Sequence, residues 1–122
     1  MPVLKEKNLN VRLVCVTSYE LFALQNAAYL ESIVGPADRA DSTFITTHAR
    51  RLMGEWVFNS DAEKYALSSD WDDRWRSGGA LDEVLDEAHM TPEWILKGVQ
   101  RFVGERDQRL ADLIHDIDIA LQ

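Results

Sequence analysis

The chain of 122 residues has one cysteine, three prolines, six glycines and no long uninterrupted apolar run. A lone Cys15 excludes an intrachain disulfide and fits a reducing compartment. With no long apolar run near the start, neither a signal peptide nor a membrane span is expected, and a cytoplasmic location is the default. Basic residues are scarce as well: 13 Lys and Arg stand against 21 Asp and Glu, for a net charge of −8. Such a chain repels nucleic acid at long range unless its bases cluster, so a nucleic-acid partner is not expected. There is no phosphate-cradling glycine loop, no nucleophile elbow, no internal repeat and no low-complexity segment. Acidity by itself names no partner.

What the chain does contain is apolar and aromatic: 46% hydrophobic residues, with four Trp, four Phe and three Tyr. A chain of this length forms one domain and removes about two-thirds of its extended surface from water on folding. Residues 1–10, with Lys5, Glu6 and Lys7, read as a flexible N-terminal arm, and 11–122 as a single helical domain. The stretch from Gly79 to Gln122 organises the rest. Leu81, Val84, Leu85 and Ala88 fall along one side of a helix, with Asp82, Glu83, Asp86 and Glu87 on the other. Thr91 and Pro92 then start a second helix, as hydroxyl cap and as first helical residue. Trp94, Ile95, Val99, Phe102 and Val103 continue it. Leu110, Leu113, Ile114, Ile117 and Leu121 make a further stripe, which predicts one long C-terminal helix or two with a bend near Gly104.

Upstream, residues 11–16 (V-R-L-V-C-V) are apolar and β-branched, and so short a run leaves strand and helix both open. A strand there needs a partner: a second copy, the far end of this chain, or another protein. Thr17 and Glu20 have capping-box spacing, which predicts a helix to about Val34 that stops at Gly35-Pro36. Apolar nearly all round, it is expected at the centre. Phe44, His48, Leu52 and Trp56 recur every four residues and predict a helix to about Asn59, with His48 as a hydrogen-bonded core or boundary residue. Ser60 and Glu63 repeat the capping spacing before a short helix through Leu67. The expected fold is mainly α, a compact bundle of about five helices, with one short N-terminal strand if residues 11–16 take that form.

Three constellations carry chemistry. A DNA-reading helix-turn-helix fits 81–100, where Val84, Ala88, Met90 and Ile95 occupy its apolar positions. Leu85 and His89 replace its usual small residue and glycine, and Glu93, Lys97 and Gln100 follow four acids on the first helix. A metal site could use Asp86 with His89, or Asp112 with His115, each pair three residues apart, with Glu31 and Glu55 as further carboxylates. Helix-surface acids beside histidines are common by chance. Arg109-Leu110-Ala111-Asp112-Leu113-Ile114-His115 resembles the R-x4-6-H motif of HEPN domains, compact all-helical folds that cut RNA as dimers. The resemblance covers seven residues and implies a ribonuclease in which Arg109 holds phosphate and His115 moves a proton. Leu110 stands where a polar residue commonly follows the Arg, and six positions along a straight helix point the two side chains apart. Cys15, in an apolar run with no adjacent base, reads as inert packing.

The fourth constellation is the segment Trp71, Asp72, Asp73, Arg74, Trp75 and Arg76. Trp and Arg dominate protein-binding hot spots because they bury large areas at low entropic cost. Trp71 and Trp75, four apart, would share one side of a helical turn. Arg50-Arg51 and Arg74/Arg76 are expected to pair with the acidic helix at 82–87. The leading expectation is therefore a small, acidic, non-enzymatic interaction module, such as an accessory subunit, regulator or inhibitor. It would dock on a larger protein through 71–76, with a homodimer as a further option and with neither cofactor nor metal. The alternatives are a helical enzyme, metal-dependent or HEPN-like, and the helix-turn-helix DNA binder.

Overall fold

A computed structural model describes residues 2–76 and 78–122, so Met1 of the expected arm lies outside the described residues. The protein is mainly helical. Seven α-helices and one two-stranded sheet occur among the described residues, none of the helices long and apolar enough to cross a membrane.

The C-terminal third follows its periodicity closely. α5 (Leu81–Glu87), α6 (Pro92–Gly104) and α7 (Arg106–Ala120) form in order, and the bend falls at Glu105 beside Gly104. Pro92 opens α6 at the expected position, although the Thr91 hydroxyl makes no capping bond.

The first two-thirds depart from the expectation, and hydrogen-bonding side chains are the reason. α1 (Pro2–Glu6) occupies part of the expected arm. The helix expected from Ser18 to Val34 is instead α2 (Tyr19–Ala23) and α3 (Ala27–Ile33). Ser18 Oγ accepts the Leu21 N–H at 3.2 Å, but Asn26 Oδ1 accepts the Tyr29 N–H at 2.9 Å and begins a new helix. Neither helix buries a residue, so this stretch is not central. Gly35 ends α3, and Pro36 opens α4 (Pro36–Ala40).

The helix expected between Ser42 and Asn59 is also absent. Thr43 Oγ1 donates to the Ala62 carbonyl at 2.6 Å and Thr46 Oγ1 accepts the His48 N–H at 3.0 Å, so the hydroxyls hold the backbone out of a helix. The segment forms β1 (Ile45–Thr46) and a 3-10 helix (Arg50–Trp56) kinked at Met53. His48 is exposed rather than a core residue. Residues 60–65 are turns instead of the expected short helix, and β2 (Leu67–Ser68) pairs parallel with β1, Ile45 opposite Leu67.

Part of the core lies at this small sheet, where Phe44, Thr46 and Ser68 are buried. Phe44, Ala62, Tyr65, Val34 and Ala88 are the core's buried apolar residues, and Thr46, Ser68 and Arg109 are buried as well. α6 passes so close to β2 that a Cβ on Gly98 would run into the Leu67 side chain. The Arg109 guanidinium lies 3.7 Å over the Phe102 ring and 5.4 Å from the Tyr65 ring centre. Its Nη1 donates to Asp41 Oδ1 at 2.6 Å and its Nη2 to the Phe102 carbonyl at 2.7 Å. Tyr65 Oη donates to Glu105, which pulls the carboxylate below its usual range and pushes the phenol up. A separate aromatic cluster, Tyr19, Phe22 and Phe58 around Trp56, fastens α2 to the 3-10 helix.

The accessible surface is 9007 Å². A compact monomer of this mass exposes roughly 6,700 Å², so about a third more surface meets water here than a closed globule would leave. Leu13, Leu21, Leu24, Leu52, Ile114 and Leu121 are among the exposed apolar side chains.

Candidate functional site

The segment 71–76 is a loop, not a helical turn. Asp73 N–H donates to the Asp70 carbonyl at 2.9 Å, and Asp73 takes left-handed backbone at φ 55°, which Asp tolerates better than most residues. That reversal sends the two tryptophans apart. Trp71 lies against the end of α5 and Trp75 stands away from it, so they do not share one side.

Trp71 packs flat on His89, with ring centres 3.9 Å apart, and His89 packs flat on Trp94 at 3.6 Å. Lys97 Nζ sits 4.6 Å from the Trp94 ring centre on α6. Both indoles are anchored: Trp71 Nε1 donates to the Glu87 carbonyl at 3.2 Å and Trp94 Nε1 to Asp86 Oδ1 at 2.9 Å. His89 reaches this place because it ends α5 in left-handed backbone at φ 57°. Its N–H bonds the Asp86 carbonyl, and the Met90 N–H bonds the Leu85 carbonyl, the usual closure of a helix C-terminus. Glycine is the common residue there, and holding an imidazole in it costs on the order of 1–2 kcal/mol. Partial burial between the indoles lowers the His89 pKa, the Arg76 charge lowers it further, and Asp86 opposes both without reversing the shift.

Ionic bonds lock the same loop. Arg76 binds Asp72 and reaches Glu87 Oε1 at 3.2 Å, its side chain and that of Asp72 both mostly buried. Arg74 bridges Asp72 and Glu87 at 2.9 Å and 3.1 Å. Burial pushes the Asp72 carboxyl up, but the hydrogen bonds from Arg76 and Arg74 outweigh it and hold the group below its usual range. On the other flank, the Arg50 backbone N–H donates to Asp70 Oδ1 at 3.1 Å at the start of the 3-10 helix, and its Nη2 donates to Asp73 at 2.8 Å.

Trp75 stands clear of all this. It is 101% exposed, against 43% for Trp71. It borders an open groove of about 580 Å³, together with Arg50, Arg51, Arg74, Glu63, Asp70 and Asp73. The loop is thus a braced base with one indole projecting into solvent.

The other candidates are placed differently. Asp86 is engaged by the Trp94 indole and His89 by the two rings, so that pair faces no common ion position. Asp112 accepts from Gln108 Nε2 at 2.9 Å, and His115 is exposed one turn on. Among the described residues, no three His, Cys, Asp or Glu side chains gather as a metal site would. The Arg109 side chain is 5% exposed and held by Asp41 and Phe102, whereas His115 faces solvent. Cys15 is exposed, not packed inside.

Of the arginines expected to pair with the helix at 82–87, Arg74 and Arg76 do so through Glu87, whereas Arg50 pairs with Asp70 and Asp73, and His89 and Trp94 were not foreseen as the floor of the loop. Only Trp94 and Lys97, three apart on one helix, left a local trace of that arrangement. No protein-family model, curated protein or solved structure matches the chain.

Proposed function

We propose that this chain is a small, acidic, non-enzymatic interaction protein that docks on a larger protein, with Trp75 as the anchor and 71–76 as the loop that presents it. The observation that carries the reading is the full exposure of Trp75 beside three arginines, on a loop that is otherwise fixed. An indole held in water gains by entering a partner's pocket, and a loop already ordered by Arg74, Arg76 and the Trp71–His89–Trp94 stack loses little entropy on docking. A cytoplasmic location, suited to the single exposed thiol, goes with this reading.

The division of labour sets the test. Trp71 supports the loop and Trp75 contacts the partner, so only Trp75→Ala separates binding from folding. Affinity purification from the native host should recover a stoichiometric partner whose affinity Trp75→Ala lowers by roughly thirtyfold, the effect of one hot-spot residue worth about 2 kcal/mol. Far-UV circular dichroism should stay unchanged. Recovery equal to wild type removes Trp75 as the anchor.

A second reading, DNA contact by α5 and α6, draws on His89, which takes left-handed backbone at the position where a helix-turn-helix carries glycine. Against it, Asp82, Glu83, Asp86 and Glu87 line α5 and Lys97 is drawn over Trp94. A salt-sensitive gel shift that fades with Lys97→Ala is its distinguishing result.

A further inference from the structure

Residues 10–17 lie in neither helix nor strand, yet their composition is that of a buried strand. None of their backbone N–H or C=O groups finds a hydrogen-bond partner among the described residues. Leu13, Val14 and Val16 are exposed in this run, and Leu13 and Val14 border an open groove of about 630 Å³ whose far wall is Leu21, Phe22, Tyr29 and Ile33 of α2 and α3. Gln25 lines the groove between them. An unpaired, β-branched segment beside such a mixed wall is a template for an added strand.

We propose that two copies of this chain associate through residues 11–16, paired as antiparallel strands, with α2 and α3 of each copy closing over the ribbon. Charge selects a second copy as the occupant. Of 21 acidic residues only Glu20 falls between Lys7 and Leu30 and none lines the groove, so two chains of net charge −8 can meet there without strong repulsion. A basic partner would instead be drawn to the acidic faces of α5 and α7. A twofold axis between Leu13 and Val14 sets Val11 opposite Val16 and Arg12 opposite Cys15, so no like charges face each other. Each Arg12 keeps its own Asp38, 3.1 Å away. The area suffices: a standard interface covers about 800 Å² per partner, well within the surface this chain exposes beyond a closed globule. Because it is separate from the Trp75 loop, the association stands or falls independently of docking there.

Light scattering and sedimentation of the purified chain across micromolar concentrations test it. The expected mass is that of two 13.9 kDa chains, falling to one in Val14→Pro, which removes a ladder donor from a segment that uses none internally. Circular dichroism and thermal melting of Val14→Pro should match the dissociated wild type, and Trp75→Ala should remain dimeric. A nitroxide on Cys15, the single cysteine, reports the register. The twofold places the two Cys15 Cα atoms about 11 Å apart, close enough to broaden the spin spectrum, and dilution with unlabelled chain should remove the broadening. A monomer at every concentration overturns the proposal. So does a dimer that survives Val14→Pro, or one whose Cys15 labels show no broadening.

Discussion

Asp41→Asn should be the most damaging isosteric change in this protein, because it leaves the Arg109 charge without its counter-ion. The Arg109 side chain is 5% exposed and that of Asp41 22%, joined at 2.6 Å. Removing one partner of a fully buried pair costs about 3–5 kcal/mol. Three features lower that here: Asp41 is partly reached by water, the Phe102 ring and carbonyl still face the guanidinium, and asparagine keeps an acceptor. A loss of about 2–3 kcal/mol follows, a large share of the 5–15 kcal/mol typical of a domain. Arg109→Met keeps most of the packing between Phe102 and Tyr65 while removing the charge. The double variant should therefore be more stable than the two single losses predict, by about 1–2 kcal/mol. Urea unfolding followed by tryptophan fluorescence measures all four species. The pH dependence has a definite sign. Burial pushes Asp41 up, but hydrogen bonds from Arg106 and Arg109 outweigh it and hold the carboxyl below its ordinary value. Its contribution is complete above the unfolded value of about 3.9 and is lost as pH falls through the lower folded one. Wild type should weaken more steeply than Asp41→Asn in that acid window. If Asp41→Asn lies within about 0.5 kcal/mol of wild type and the losses simply add, the guanidinium is solvated and the reasoning fails.

Two further outcomes follow from the packing. His89 titrates below its ordinary value because it is half-buried between indoles, so the fold keeps this contribution above pH about 6.5 and loses it as pH falls through the lower folded value. A histidine ring-proton titration by NMR with a midpoint above that figure would show instead that the indole faces bind the imidazolium. Gly98→Ala gains about 1 kcal/mol of helix preference but drives a methyl into Leu67, a conflict worth about 1–3 kcal/mol. It should be destabilising in the native background and stabilising once Leu67→Ala has cleared the space, and the same sign in both backgrounds would refute the contact.

The sequence was readable where structure is set by neighbours three and four residues apart. α5, α6 and α7 combine sustained apolar spacing with a proline start, and periodicity located each of them. It misled between Ser18 and Leu67, where polar side chains decide: Asn26 starts a helix inside an apolar run, and Thr43 and Thr46 hold extended backbone through a four-residue hydrophobic repeat. The candidate loop was visible as a cluster of Trp and Arg, and its acidic partner Glu87 lay in the helix expected to face it. Its floor was not visible. Trp71 meets a His89 held in left-handed backbone, with Asp73 left-handed in the same loop, and composition carries no signal for either.

The bond between Asp41 and Arg109 joins residues 68 positions apart, and this gives the molecule a sequence of events as well as a shape. A nascent chain grows at about 5–20 residues per second, so on the order of 3–14 seconds separate the synthesis of the carboxylate from that of its guanidinium. During that interval the oily segment near the start leaves the ribosome while the bond between Asp41 and Arg109 has yet to be made.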